Sequence, residues 1–212
     1  MRGRLQALVV IMAGAGSLLF CWISAAALAL VILRKGVGSG AWLFMWALLP
    51  AGTLLYAYGD SGPMTLLVGT MVLALVLRST VSLSLAVLAG VGVGVLTGLA
   101  LMVFSAEYLN QMVAFFSEFL GALGEQLSKE GQPIVLPRPE AGQIAGMLGA
   151  VTATMSVLCL LLARYWQAAL YNPGGFGDEF KALQYSTAVS STLAVAAIAL
   201  WGLGEQYRSW AM

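Results

Sequence analysis

The chain has 212 residues, of which 60% are apolar and only 9% charged, with a mean hydropathy of +0.91. Soluble domains carry about 25% charged residues, so the composition excludes an ordinary water-soluble fold and points to an all-α, polytopic membrane protein. Ten basic against nine acidic residues, net +1, leave no basic surface dense enough for nucleic acid, and the lack of histidine removes the commonest general base and metal ligand.

Leu5–Leu33 is an uncharged run of 29 residues, longer than the roughly 20 that one helix needs to cross a bilayer. Arg2, Arg4 and Ala25-Ala26-Ala27 imitate a signal peptide, but the apolar run continues past that point, so the segment is expected to be retained. It is one tilted helix or two pieces broken near Gly14–Ser17. Further apolar runs follow at Ala41–Tyr58, Met64–Leu77, Val81–Phe104, Gly142–Ala163 and Ser186–Leu203.

The distribution of cations chooses between the two readings of the first run, because Lys and Arg beside spans collect on the cytoplasmic face. A single crossing divides them evenly. A hairpin or re-entrant pair puts Arg2, Arg4, Arg34, Lys35, Arg78, Arg164 and Lys181 on one side, seven of ten, with most of the acids opposite. The expectation is therefore six to seven membrane segments in a single domain over residues 1–212 of a bacterial inner membrane protein, multi-pass, with a cytoplasmic N-terminus.

Asp60-Ser61-Gly62-Pro63 reads as a turn leading into a helix, Pro50 as a kink, and Arg78 as part of a tight cytoplasmic turn. In Val81–Phe104 the small residues Ala86, Gly90, Gly94 and Gly98 recur every four positions, as do Gly142, Gly146, Ala150 and Thr154 further on. Such stripes let helix backbones approach where lipid supplies no hydrophobic drive, and the two are expected to meet each other. Residues 105–131 carry Tyr108, Met112, Phe115, Phe116, Phe119, Leu123 and Leu127 on one side and Glu107, Gln111, Glu118, Glu125 and Lys129 on the other. That pattern predicts an amphipathic helix lying in the interface, followed by a proline-rich connector that ends at Glu140.

No ionisable residue falls in the middle of a run, and no nucleophile–base set is available, so neither an enzyme nor a proton pump is expected. Gly36, Gly38 and Gly40 lack the strand and the GK[ST] of a phosphate loop. Cys21 and Cys159 read as small buried hydrophobes. No cofactor and no metal site is expected. One stretch stands apart, the candidate cytoplasmic contact turn. Arg164, Tyr165, Trp166 and Tyr171 have the character of an interfacial belt. Asn172-Pro173-Gly174-Gly175 is turn chemistry, Phe176 follows as part of the same contact turn, and Asp178 and Glu179 begin a short helix.

The run Ala163-Arg164-Tyr165-Trp166-Gln167-Ala168, then Leu170-Tyr171-Asn172-Pro173-Gly174-Gly175-Phe176 and Glu179-Phe180 with Leu183, resembles the proteobacterial branch of the YybS-like family of integral membrane proteins. Trp46-Ala47-Leu48-Leu49-Pro50 and Val76-Leu77-Arg78-Ser79-Thr80-Val81-Ser82 are similar as well. The resemblance implies a helical fold distantly related to the S-components of energy-coupling-factor transporters, which bind a small molecule from outside and dock on a cytoplasmic ATPase module. Two functions are expected: from the resemblance, a small-molecule-binding or transport component, its ligand unspecified; or, with the small-residue stripes as docking faces, a non-catalytic structural or accessory subunit of a membrane assembly. The partners are the lipid bilayer and, in either case, another membrane or cytoplasmic subunit.

Overall fold

The computed structural model describes residues 4–17, 20–129 and 139–202. Arg2, Glu130, Arg138, Glu205 and Arg208, with connector residues 132–138, lie outside the described residues. The described chain is helical: α1 (Arg4–Ala15), α2 (Cys21–Lys35), α3 (Val37–Tyr58), α4 (Gly62–Thr80), α5 (Leu83–Phe104), α6 (Ala106–Lys129), α7 (Ala141–Tyr171), α8 (Gly175–Lys181) and α9 (Thr187–Gly202). Four of these, α3, α4, α5 and α7, are long and apolar enough to cross a membrane. Among the described residues the other helices are shorter or more polar, and the expected count of six to seven spans is not confirmed. α1, α2 and α9 have 12, 15 and 16 residues, at most about 24 Å at 1.5 Å per residue, against a hydrocarbon core of about 30 Å.

The chain packs as two compact units, one formed by residues up to Gly94 with Val151–Ser186, the other by Val95–Ala150 with Thr187 onward. The first unit is built around α2, whose residues Ser24–Ala29, Val31 and Ile32 are buried. The opening apolar run is broken, α1 ending at Ala15 and α2 beginning at Cys21, and Gly14 O and Ser17 O accept hydrogen bonds from the N–H groups of Ser17 and Phe20. α1 and α2 then fold back on each other. Ser24 Oγ donates to Ile11 O at 2.6 Å, a Cβ on Gly14 would lie 2.9 Å from Ser24 Cβ, and Ala7 shares a small cavity with Val31 and Lys35. A buried hydroxyl that bonds a backbone carbonyl across a hairpin removes an orphan donor from an apolar interior.

Close backbone approach sets the neighbours of α2. A Cβ on Gly40 would collide with Ile32 Cγ1, so the start of α3 lies against the end of α2 and the two run antiparallel. At the far end of α3, Pro50 packs against Gly16, and Thr53 Oγ1 donates to Pro50 O at 2.7 Å. α4 lies parallel to α2, since Arg78 at its last turn reaches Ile32 and Leu33. Deeper in, a Cβ on Gly69 would stand 2.6 Å from Ser156 Oγ and 2.8 Å from Val93 Cγ1, which fixes a tight junction of α4 with the α5 and α7 segments of this unit.

The small-residue stripes behave differently from each other. On α5, Ala86, Gly90, Gly94 and Gly98 are all buried. On α7 only Gly146 is buried; Gly142 and Ala150 are half-buried and Thr154 is exposed. Gly90 meets Val157, whose Cγ2 would be 2.8 Å from its Cβ, and a Cβ on Gly142 would meet nothing. Gly90 thus packs on Val157, a residue outside the α7 stripe. In the first unit the buried residues of α7 include Ser156, Cys159, Leu160 and Ala163. Cys21 and Cys159 form no disulfide, and Cys159 Sγ contacts Trp22 O at 3.4 Å.

In the second unit Leu109, Met112 and Val113 of α6 pack on Leu101, Ile144 and Ala145. The aromatic side expected to seek the interface is only partly used by this core. Phe115, Phe116, Phe119 and Leu123 stay exposed, an apolar strip suited to lipid.

α4 and α5 are joined by Val81 and Ser82. Val81 has φ 52° and ψ 24°, a left-handed conformation, and its N–H bonds Leu77 O at 2.9 Å. A β-branched residue is strained there by roughly 1–2 kcal/mol. Val81→Gly is expected to stabilise the protein by about 0.5–1 kcal/mol once the greater freedom of unfolded glycine is subtracted. A thermal or denaturant midpoint that falls in the glycine variant would contradict this account of the turn.

Candidate functional site

One end of the first unit gathers its cations. α2 ends at Arg34-Lys35, where Ile32 O still accepts the Gly36 N–H at 3.2 Å and the carbonyls beyond it run out of intrahelical donors. Arg78 Nη1 donates to Ile32 O at 3.0 Å and Leu33 O at 2.9 Å. The guanidinium thus sits at the negative end of the helix dipole, where a cation is favoured. Arg34 turns away and stacks on Tyr171, its Cζ 3.3 Å from the ring centroid, a cation–π contact.

The contact turn itself is a folded feature. α7 stops at Tyr171, Asn172 O accepts the Gly175 N–H at 3.1 Å, and Gly174 takes φ 93°, open to glycine without strain. A Cβ on Gly175 would strike the Asn172 amide. α8 then folds back on α7. Arg164 Nε donates to Glu179 Oε2 at 2.7 Å while its Nη2 pairs with Oε1, and Nη1 donates to Gln167 Oε1 at 2.9 Å. Tyr165 meets Phe176 edge to face with centroids 6.0 Å apart, and Phe176 lies 5.9 Å from Phe180. The ion pair is 27% and 38% exposed, so water screens it and its contribution is at most about 1 kcal/mol. Its role is bidentate positioning of α8.

Of the residues expected in the belt, Trp166 is half-buried and packs on the core of this unit, while Tyr165, Tyr171, Asn172, Pro173 and Gly174 are exposed. Phe176 and Glu179 are half-buried.

Between these features lies a cavity of about 500 Å³. Its polar wall is Arg78, Ser82, Ser84, Arg164, Gln167 and Glu179. Leu33, Leu77, Val81, Leu83 and Ala182 supply the apolar wall. A second cavity of about 220 Å³, reaching Lys35, Ser39 and Trp42, opens on the α1–α3 side. The contact-turn reading brought Arg164 and Glu179 to this place and missed Arg78, Ser82, Ser84 and Gln167. Ser82 carries a legible signal as the residue before an apolar helix: its Oγ accepts the Leu85 N–H at 3.4 Å, an N-cap. The convergence of Arg78 with Arg164 carries no local signal, since it depends on how distant helices register.

A helical chain with four spans' worth of apolar helix, a buried central hairpin and a polar cavity at its basic end belongs to the class of polytopic membrane proteins. No family model, curated protein or solved structure matches this chain.

Proposed function

We propose that this protein is a membrane component that binds a small molecule, with the cavity at the basic end of its first unit as the binding site. The observation that carries this reading is the cavity itself: concave, partly apolar, and furnished with a few convergent polar groups, which is the make-up of ligand sites. The clustering of Arg34, Lys35, Arg78 and Arg164 at this end supports a cytoplasmic orientation by the positive-inside rule. An S-component role, as the resemblance to the YybS-like family implies, takes its ligand from the opposite face. The location of the cavity therefore favours exchange with the cytoplasmic side over capture from outside. Docking through the α5 stripe is a weaker reading, because Ala86, Gly90, Gly94 and Gly98 are already buried within the chain.

Native mass spectrometry of the full chain released from mild detergent tests the proposal. Wild type is expected to retain a small bound molecule that Ala182→Trp loses, since Ala182 is exposed at the cavity wall and a ring there fills the space without touching the core. Identical spectra for the two proteins would refute the assignment of the site.

A further inference from the structure

We propose that the cavity takes an oxyanion, a phosphate or the phosphoryl headgroup of an amphipathic molecule; this deepens the reading of the cavity as a ligand site and rests on it. The argument is an accounting of hydrogen-bond capacity. Glu179 is the one carboxylate in the wall, and both of its oxygens are engaged by Arg164. Gln167 Oε1 accepts from Arg164, and Ser82 Oγ accepts from Leu85. The strong acceptors are therefore in use.

The groups left over are donors. Arg78 commits Nη1 to the α2 carbonyls and keeps Nε and Nη2 without a partner among the described residues. The Gln167 amide nitrogen and the Ser84 hydroxyl are likewise without one. Leu83 and Ser84 open α5, so their backbone N–H groups precede the first intrahelical bond of that helix, which Ala86 makes back to Ser82 at 3.1 Å. Two guanidiniums against one carboxylate give the wall a net charge of +1, and the start of a 22-residue helix adds partial positive charge. Uncommitted donors, excess positive charge and a helix N-terminus in one concavity select an oxyanion. The apolar wall, and a volume well above that of a bare phosphate, leave room for an apolar body.

The test measures thermal unfolding of the full chain in an uncharged detergent, at constant ionic strength balanced with chloride. Its arms are inorganic phosphate, phosphatidylglycerol, and diacylglycerol with the same acyl chains, each added to wild type, Ser84→Asp and Gln167→Ala. Wild type is expected to gain a concentration-dependent rise in midpoint with phosphate, with phosphatidylglycerol, or with both. A response to both assigns a free anion or headgroup, and a response to the lipid alone assigns the headgroup. Ser84→Asp places a carboxylate in the first turn of α5, where the dipole tolerates it, and should abolish the rise; Gln167→Ala should weaken apparent affinity by roughly tenfold. A phosphate response that survives undiminished in Ser84→Asp overturns the inference. Stabilisation by diacylglycerol alone also overturns it while leaving the ligand-site reading intact, and no response in any arm, with Ala182→Trp indistinguishable from wild type in native spectra, removes both.

Discussion

Replacing Arg78 by alanine is expected to destabilise the protein by about 2 kcal/mol and to loosen the end of α2 selectively. The side chain makes two charge-assisted bonds, to Ile32 O and Leu33 O. Bonds to charged groups contribute roughly 1.5–3 kcal/mol each when buried, but Arg78 is largely exposed, so water recovers part of the loss at Leu33. At Ile32 O, which also accepts the Gly36 N–H at 3.2 Å, the site is more enclosed and the loss more complete. For a chain of this length the midpoint should drop by roughly 4–8 °C. Hydrogen exchange should accelerate across residues 32–40, while the Gly69–Ser156 junction in the middle of the unit stays protected. Lysine in place of Arg78 keeps the charge but offers a flexible point donor where a planar fork bridges two carbonyls, so it should recover only part of the stability. Uniform acceleration of exchange, or no change at residues 32–40, would show that Arg78 does not cap α2.

This capping arrangement also marks where sequence reasoning stops. The apolar runs, the tight turn after Arg78 and the folded turn at Asn172–Gly175 were legible because each is local. The division of the opening run was legible from charge through Arg2 and Arg4, because Arg34, Lys35, Arg78 and Arg164 share one side whether the run crosses once or folds back; the fold-back itself is seen in Ser24 bonding Ile11 O and closing on Gly14. The span count was less legible, because a hydropathy run does not show that α1 and α2, at 12 and 15 residues, are sheltered by protein instead of crossing alone. Repeats of small residues showed that some face packs closely without showing which partner it finds. Gly90 met Val157, outside the expected stripe, and Gly69, which belongs to no stripe, occupies one of the tightest positions. The cavity depends on helix registers that connect Leu33, Arg78 and Arg164, residues far apart in the chain, so no single stretch announces it.

Gly69→Ala is expected to be among the most damaging single methyl additions in the first unit. The added Cβ would lie 2.6 Å from Ser156 Oγ, 2.8 Å from Val93 Cγ1 and 3.5 Å from Ser156 Cβ. Neither close atom sits at the end of a long, adaptable side chain: valine has one strongly preferred helical rotamer, and Ser156 is fully buried. The helices must separate by several tenths of an ångström, and overpacking of this kind costs roughly 1–3 kcal/mol. Ser156 gives the argument a second handle. Its Oγ is buried without a hydrogen-bond partner among the described residues, so Ser156→Ala should be neutral or slightly stabilising on its own, a desolvated hydroxyl being replaced by nothing. In the Gly69→Ala background the same change removes the nearer of the two collisions and should restore about half of the lost stability, leaving the contact with Val93. Val93→Ala should restore less, because it opens a void of its own as it relieves the clash. A double-mutant cycle read by chemical unfolding in detergent measures the coupling directly. Strictly additive effects of Gly69→Ala and Ser156→Ala would mean that α4 and α7 do not close on each other at this level, and the packing derived for the first unit would have to be rebuilt around a different contact.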